Sequence, residues 1–317
     1  MHLDRYVFWM LSGIVALLLV SSAVVALLKR SQPGAQARPV IANLDARVRA
    51  WWVMVIIFAL ALATGGIGSV VLFALVSFFA LREFITLAPT RPGDHHALFL
   101  AFFIILPAQY LLVGIRWYGL FSVLIPVYGS VVIAARCAAS GDCERFLERT
   151  AEIQWALLVC VYFVSHVPAL LMLEIPQYED ANARLLLFFL LVVQLSDVFQ
   201  YVWGKLLGRH KIAPTLSPNK TIEGFLGGVL SASALGTALW WVTPFKPLQA
   251  AILSLVITVM GFFGGLVMSA IKRDRGVKDY GTLIEGHGGV MDRIDSICFA
   301  APVFFHLLRY YFTPPFP

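Results

Sequence analysis

The sequence predicts an all-α integral membrane protein, a polytopic helical bundle of about nine or ten transmembrane helices. Three observations predict it. The mean hydropathy is +0.82, with 60% hydrophobic and 13% charged residues, outside the range of soluble globular chains. Apolar runs of bilayer-crossing length recur from one end to the other. Lysine and arginine gather in alternate gaps between those runs. The runs leave no room for a separate soluble domain in 317 residues. Residues 1–317 are therefore expected to form one membrane domain, with N-terminal spans in 1–182 and a chemistry-bearing half in 183–317.

The first run, Tyr6–Leu28, is too long for the apolar region of a signal peptide, and its basic pair Lys29–Arg30 follows it. It is read as a retained helix over 6–28. The basic stretch Lys29–Arg49 is the one linker-like segment and is expected to lie on anionic lipid headgroups. Runs over 50–64 and 66–82 are separated only by Gly65–Gly66, so they form a tight hairpin or a partly re-entrant pair. Further spans are expected over 95–114, 117–136, 153–174, 183–204, 224–243 and 248–271. The last, 296–312, carries His306 and Arg309 and is the weakest.

Orientation follows from the basic residues, because positive segments resist translocation. With the N-terminus outside, the segments 29–49, 82–94, 136–152, 205–223 and 272–295 face the cytoplasm. They hold nineteen of the 24 lysines and arginines, against five elsewhere. The expected location is a bacterial inner membrane with these segments cytoplasmic. The net charge of +6 is accounted for by loops facing anionic lipid, and no nucleic-acid role is indicated. Cys137, Cys143, Cys160 and Cys298 form no CxxC pair and carry no functional signal.

Polar chemistry collects in two of the cytoplasmic segments. The first begins inside the seventh span, where Asp197 follows "LLLFFLLVVQLS". A carboxylate at that depth is costly and faces a partner or an ion. Downstream, "SPNKTIEG" surrounds Lys220 with Ser217, Asn219 and Thr221 just before a helix start, a setting that suits phosphate oxygens. The second segment, residues 272–295, holds ten of the 42 charged residues in 24 positions. It contains Lys272, Arg273, Lys278 and Asp279, then the turn Gly286-His287-Gly288-Gly289, then Asp292, Arg293 and Asp295, with Ser269 one turn upstream. Glycines here permit a tight turn with backbone amides facing inward. His287 reads first as a structural hydrogen-bonder and second as a general base. Asp292 and Asp295 are three apart, so a helix would put both on one face, able to hold Mg²⁺ or to form a salt-bridged helix start.

This inventory holds carboxylates, cations and glycine amides but no serine–histidine–acid set, which disfavours acyl transfer and favours phosphate chemistry. Metal-bound phosphate oxygens with lysine and arginine at the leaving group are the expected arrangement.

At this point the segment Ser269–Asp295 closely resembles the signature of the phosphatidate cytidylyltransferases, the CDP-diacylglycerol synthases. Ser269, Lys272, Arg273, Lys278, Asp279, Gly281, His287, Gly288, Gly289, Asp292, Arg293 and Asp295 match it in register. The upstream block from Asp197 through "SPNKTIEG" resembles the family's second motif. The resemblance is specific over roughly the C-terminal two-fifths; the N-terminal half matches only as a bundle of spans. It implies a Mg²⁺-dependent nucleotidyltransferase that converts CTP and phosphatidate to CDP-diacylglycerol and pyrophosphate for phospholipid biosynthesis. It also implies a site for a second cation of unspecified identity, and a homodimer.

By the same resemblance Asp292 is the leading metal ligand, with Asp279, Asp295 and Asp197 in support. Lys220, Lys272, Arg273, Lys278 and Arg293 would bind phosphates, with Ser217, Asn219, Ser269, Gly288 and Gly289 lining the substrate; His287 would sit among the catalytic groups. Three departures mark a divergent branch. Gly265 stands where many bacterial members carry a metal-site Asp, Glu285 where they carry Pro, and Gln200 where they carry Ala. The rival readings are a CTP-dependent lipid-alcohol kinase, a membrane transporter, or a catalytically silent partner protein.

Overall fold

The computed structural model describes residues 4–31, 38–178, 181–284, 286 and 288–314. Among them run ten long helices in chain order: α1 (Arg5–Ser31), α2 (Arg38–Ala63), α3 (Gly65–Leu87), α4 (Pro92–Gly114), α5 (Tyr118–Ala138), α6 (Phe146–Met172), α7 (Asn182–Leu206), α8 (Ile222–Ala238), α9 (Pro247–Asp274) and α10 (Met291–Phe312). Eight are long and apolar enough to cross a membrane; α8 is shorter, and α10 opens on charged residues. The fold is the helical membrane bundle the composition requires. α1 is the most peripheral of the eight, with Phe8, Trp9, Leu17, Val20 and Leu27 facing outward, as a bilayer rather than water allows. α6 is the most buried and forms the axis of the N-terminal half.

Helices α4, α5 and α6 each contain a π-helical stretch, at Ala101–Ile105, Leu124–Gly129 and Leu158–Phe163. Pro126 lies inside the second of these, where a missing N–H favours a widened turn.

One local expectation is corrected. The basic stretch after α1 is not a surface linker along its length: α2 starts at Arg38, and Asp45 pairs with Lys29 at 2.9 Å and with Arg49 at 3.4 Å. An apolar-run criterion stops where hydropathy falls, whereas helical hydrogen bonding continues through such paired polar turns. Of the two arrangements expected for 50–64 and 66–82, the hairpin is the one formed: α2 and α3 are two full helices joined at Thr64, with the reversal made by Gly65 at φ +80°. The segment 205–223, expected only as a polar cytoplasmic connection before α8, contains a two-stranded hairpin, β1 (Lys211–Ala213) with β2 (Ser217–Thr221), antiparallel. Prolines at 214 and 218 conceal it, since proline inside a short run argues against a strand unless both edges are free.

The five basic segments meet at one end of the bundle. Arg91 binds Asp142 at 2.8 Å, the fully buried Arg149 holds both carboxylate oxygens of Asp94 at 2.9 Å, and Arg275 pairs with Glu152. Arg47 donates to the Gly286 carbonyl at 3.3 Å and Arg273 to that of Leu216 at 3.3 Å. The other end is tied separately, by Arg184 to Asp4, Arg116 to Glu174 and the Tyr178 hydroxyl to the Val242 carbonyl.

In the C-terminal half α7, α8, α9 and α10 pack on one another through small residues, the usual way membrane helices approach closely. At Gly228 on α8 a Cβ would fall 2.3 Å from Gln200 Cγ and 2.7 Å from the Gln200 backbone nitrogen. Gln200, one of the three departures, is thus accommodated by a glycine opposite it.

Candidate active site

The site lies at the basic end, where α3, α7, β2, α9, α10 and the segment 275–290 converge. It has two centres. At the first, the buried carboxylate of Asp292 accepts from Lys272 Nζ at 2.8 Å through Oδ1. Through Oδ2 it accepts from the Tyr280 amide at 2.8 Å and the Gly289 amide at 3.0 Å. Tyr280 is itself buried, its hydroxyl donating to the Met268 carbonyl at 3.2 Å. The residue expected to lead in metal binding is therefore the latch that folds the glycine-rich segment onto α10, with both oxygens engaged. Gly288 closes the turn at φ +86°; a Cβ there would lie 2.9 Å from Asp292 Oδ2 and 3.3 Å from Asp279 Cβ. His287 and Glu285 lie outside the described residues.

The second centre is deeper, in the seam of α7, α9 and α10. Ser296 Oγ donates to Asp197 Oδ2 at 2.6 Å and lies 3.5 Å from Asp295 Oδ1, and the Ser296 amide donates to that same oxygen at 2.8 Å. Asp295 and Asp197 are thus drawn to one serine. Asp292 and Asp295 share a helix, as their spacing predicts, yet they take different partners. Lys220 reaches toward this centre from β2, with Nζ 4.6 Å from the centroid of the Phe262 ring. Burial pushes the Lys220 ammonium below its ordinary pKa; Asp197 and Asp295 oppose that push, and Lys272 adds to it. Those causes put Lys220, Lys272 and both deep carboxylates in one electrostatic field.

The remaining expected residues divide. Arg293 follows Asp292 on α10, and its Nε is buried without a hydrogen-bond partner among the described residues. Lys278, Asp279, Arg273 and Asn219 are exposed at the mouth, and Ser217 is half-buried. Arg273 is partly committed to the backbone carbonyls of Leu216 and Val277. Ser269 spends its hydroxyl on the Gly265 carbonyl at 2.7 Å, one turn back on its own helix. Gly289 gives its amide to Asp292, as described.

One residue that matters here escaped the sequence reading. Glu83, near the end of α3, accepts from the amides of Val290 and Met291 at 2.9 Å each. It therefore caps the positive end of α10 from the N-terminal half of the chain. Its signal was an acid within "FFALREFITL", at the basic end of an apolar run.

A Mg²⁺ ion fits the deep centre better than the upper one. No group of three or more His, Cys, Asp or Glu side chains suited to a metal occurs among the described residues. Magnesium needs no such cage: one or two carboxylates with waters and substrate phosphates suffice. Asp197 and Asp295 would supply that pair, whereas Asp292 already accepts from Lys272 and two amides.

Residues 45–311 match the model of the Cytidylyltransferase family. The chain is 41% identical over 265 residues to Uncharacterized protein YnbB of Escherichia coli (strain K12), which covers 83% of this chain and 87% of that protein. It is 40% identical over 130 residues to the phosphatidate cytidylyltransferase of Staphylococcus aureus (strain COL), 40% of this chain and 50% of that one. Against the enzyme of the same name from Staphylococcus haemolyticus (strain JCSC1435) the identity is 39% over 120 residues, 37% and 46% of the two chains. The chain spans about half the length of the phosphatidate cytidylyltransferases it matches.

Proposed function

Because the chain belongs to the cytidylyltransferase family of nucleotidyltransferases, we propose that it is a membrane CTP:phosphatidate cytidylyltransferase, forming CDP-diacylglycerol and pyrophosphate. The observation that carries this reading is the convergence of the half-buried Asp197, Asp295 and Lys220 on the buried Ser296 in one seam. Carboxylates with a cation beside them, and cations at the mouth, suit a triphosphate approached by a second phosphate.

The phosphatidate phosphate has a second pKa of about 6, so it is largely dianionic at neutral pH and attacks without a general base. One of its oxygens bonds to the α-phosphorus of CTP while the bond to the oxygen bridging α and β breaks, and pyrophosphate leaves with the electron pair. A Mg²⁺ ion held by Asp197 and Asp295 would polarise the triphosphate oxygens. Lys220 and Arg293, whose Nε meets no hydrogen-bond partner among the described residues, would neutralise charge on the reacting phosphates. Lys278 and Arg273, exposed at the mouth, would attract CTP and hold the departing pyrophosphate. Asp279 and Asn219 stand where incoming nucleotide would pass. Lys272 acts through Asp292, keeping the glycine-rich segment in place.

A lipid tail has a place to go. A cavity of about 1220 Å³ is lined by Phe163, Met260, Phe299, Val303, Leu307 and Tyr310. Phe299 is one turn of α10 from Asp295, so acyl chains there would leave a headgroup phosphate beside the deep centre. In this reading the basic end faces the cytoplasm of a bacterial inner membrane, where soluble CTP meets the lipid.

The test is purified protein in detergent with radiolabelled CTP, phosphatidate and Mg²⁺. The expected result is labelled CDP-diacylglycerol with release of pyrophosphate, lost on chelation with EDTA and reduced about a hundredfold in Asp295→Asn. Release of CDP with a phosphorylated lipid alcohol would instead assign a kinase, and no product at all would remove the enzyme reading.

A further inference from the structure

Gly265 stands on α9 where a side chain would run into charge. A Cβ built there would lie 2.9 Å from Lys220 Nζ, 3.8 Å from Asp295 Oδ2 and 3.9 Å from Ser296 Oγ. Lys220 belongs to none of the three helices of this seam. It is threaded in from β2, across the face of Phe262, one turn before Gly265. Ser296 in turn binds Asp197 at 2.6 Å. The space that a side chain at 265 would fill is therefore taken by an ammonium brought from another segment, beside the half-buried carboxylates of Asp197 and Asp295. Such carboxylates need compensating charge in a low-dielectric seam, and a cation over an aromatic face is held there by attraction.

We propose that Lys220 is the resident counter-ion of the Asp197–Asp295 pair, admitted by the glycine at 265, and that it supplies the positive charge a second metal ion would otherwise bring. The pair then takes a single divalent ion, and that ion binds against the charge of Lys220. This deepens the metal-assisted phosphate reading of the site, and it holds whichever lipid or nucleotide the site accepts.

The experiment is a Mn²⁺ titration of the purified full chain in detergent, without nucleotide, read by electron paramagnetic resonance. The wild-type protein should bind one Mn²⁺ per chain. Lys220→Met removes the opposing charge and should tighten Mn²⁺ binding by about tenfold. Gly265→Ala puts a methyl group against the flexible end of Lys220, pushes it aside and should shift the affinity in the same direction. The double variant should bind no tighter than Lys220→Met alone, because both changes act through one ammonium.

Two ions per wild-type chain, no binding in any variant, or unchanged or weaker binding in Lys220→Met would overturn the proposal. A tightening in Lys220→Met that Gly265→Ala does not share would overturn the role given to Gly265. Because the readout is ion binding, a protein that makes no CDP-diacylglycerol still answers the question, and failure of the catalytic reading is seen separately.

Discussion

Asp292 and Asp295 are three residues apart on one helix and share a residue type, but their surroundings assign them different work. Asp292 is buried against Lys272 and two amides, so removing its charge leaves the largely enclosed Lys272 ammonium uncompensated. Breaking such a pair costs about 3 kcal/mol. Asp292→Asn should therefore lower the melting temperature in detergent as well as activity. Asp295→Asn relieves a like-charge contact with Asp197 and should lose activity without losing stability. Equal melting temperatures for Asp292→Asn and wild type would remove the latch.

Glu83 makes a second residue-level case. An amide side chain can accept through one oxygen only and brings no charge to the helix N-terminus, a loss of about 1 kcal/mol. Glu83→Gln should speed hydrogen exchange at Val290 and Met291 and lower kcat about tenfold while leaving the KM for CTP nearly unchanged. Protection of those amides identical to wild type would mean that Glu83 does not hold them. The spacing of the two aspartates was legible in the sequence. Which of them was already spoken for was not, because Tyr280 and Gly289 contribute backbone amides, which carry no residue signature.

At the scale of elements, the long apolar helices were readable because the bilayer imposes a length and a polarity on each. Their polar ends were not, as α2 illustrates by starting at Arg38 well before its apolar run. The β1–β2 hairpin was hidden for a related reason: it has no apolar face of its own and is fixed by what surrounds it. The Thr221 hydroxyl accepts from the Gly224 amide at 3.1 Å, and Glu223 accepts from His210 Nδ1 at 2.5 Å. Helix α8 is seated on α7 by Gly228, where the backbone of Gln200 leaves no room. Gly228→Ala should destabilise the protein by about 2 kcal/mol through overpacking. Adding Gln200→Ala should give back only part of this, since the Gln200 backbone nitrogen and Cα also lie within 2.8 Å of the added carbon. Full recovery of the melting temperature in the double variant would show that the side chain alone sets the spacing.

At the scale of the molecule, the functional polarity of the bundle is a matter of which end the charges share. Nineteen of 24 basic residues sit in five segments, and contacts such as Arg91 to Asp142, Arg47 to Gly286 and Glu83 to Met291 bring those segments together at one end. Positive segments are retained on the cytoplasmic side, so the whole site should face inward. The chain carries its own reporter of this. Cys143 lies in one of the five segments and is exposed, whereas Cys137, Cys160 and Cys298 are buried. A membrane-impermeant maleimide should leave Cys143 unlabelled in intact spheroplasts and label it in inverted vesicles. A cysteine placed at Glu174, which pairs with Arg116 at the opposite end, should behave in the reverse way. Labelling of Cys143 from outside would invert the bundle, and the cytoplasmic CTP of the proposed reaction could then not reach Lys220 and the deep carboxylates.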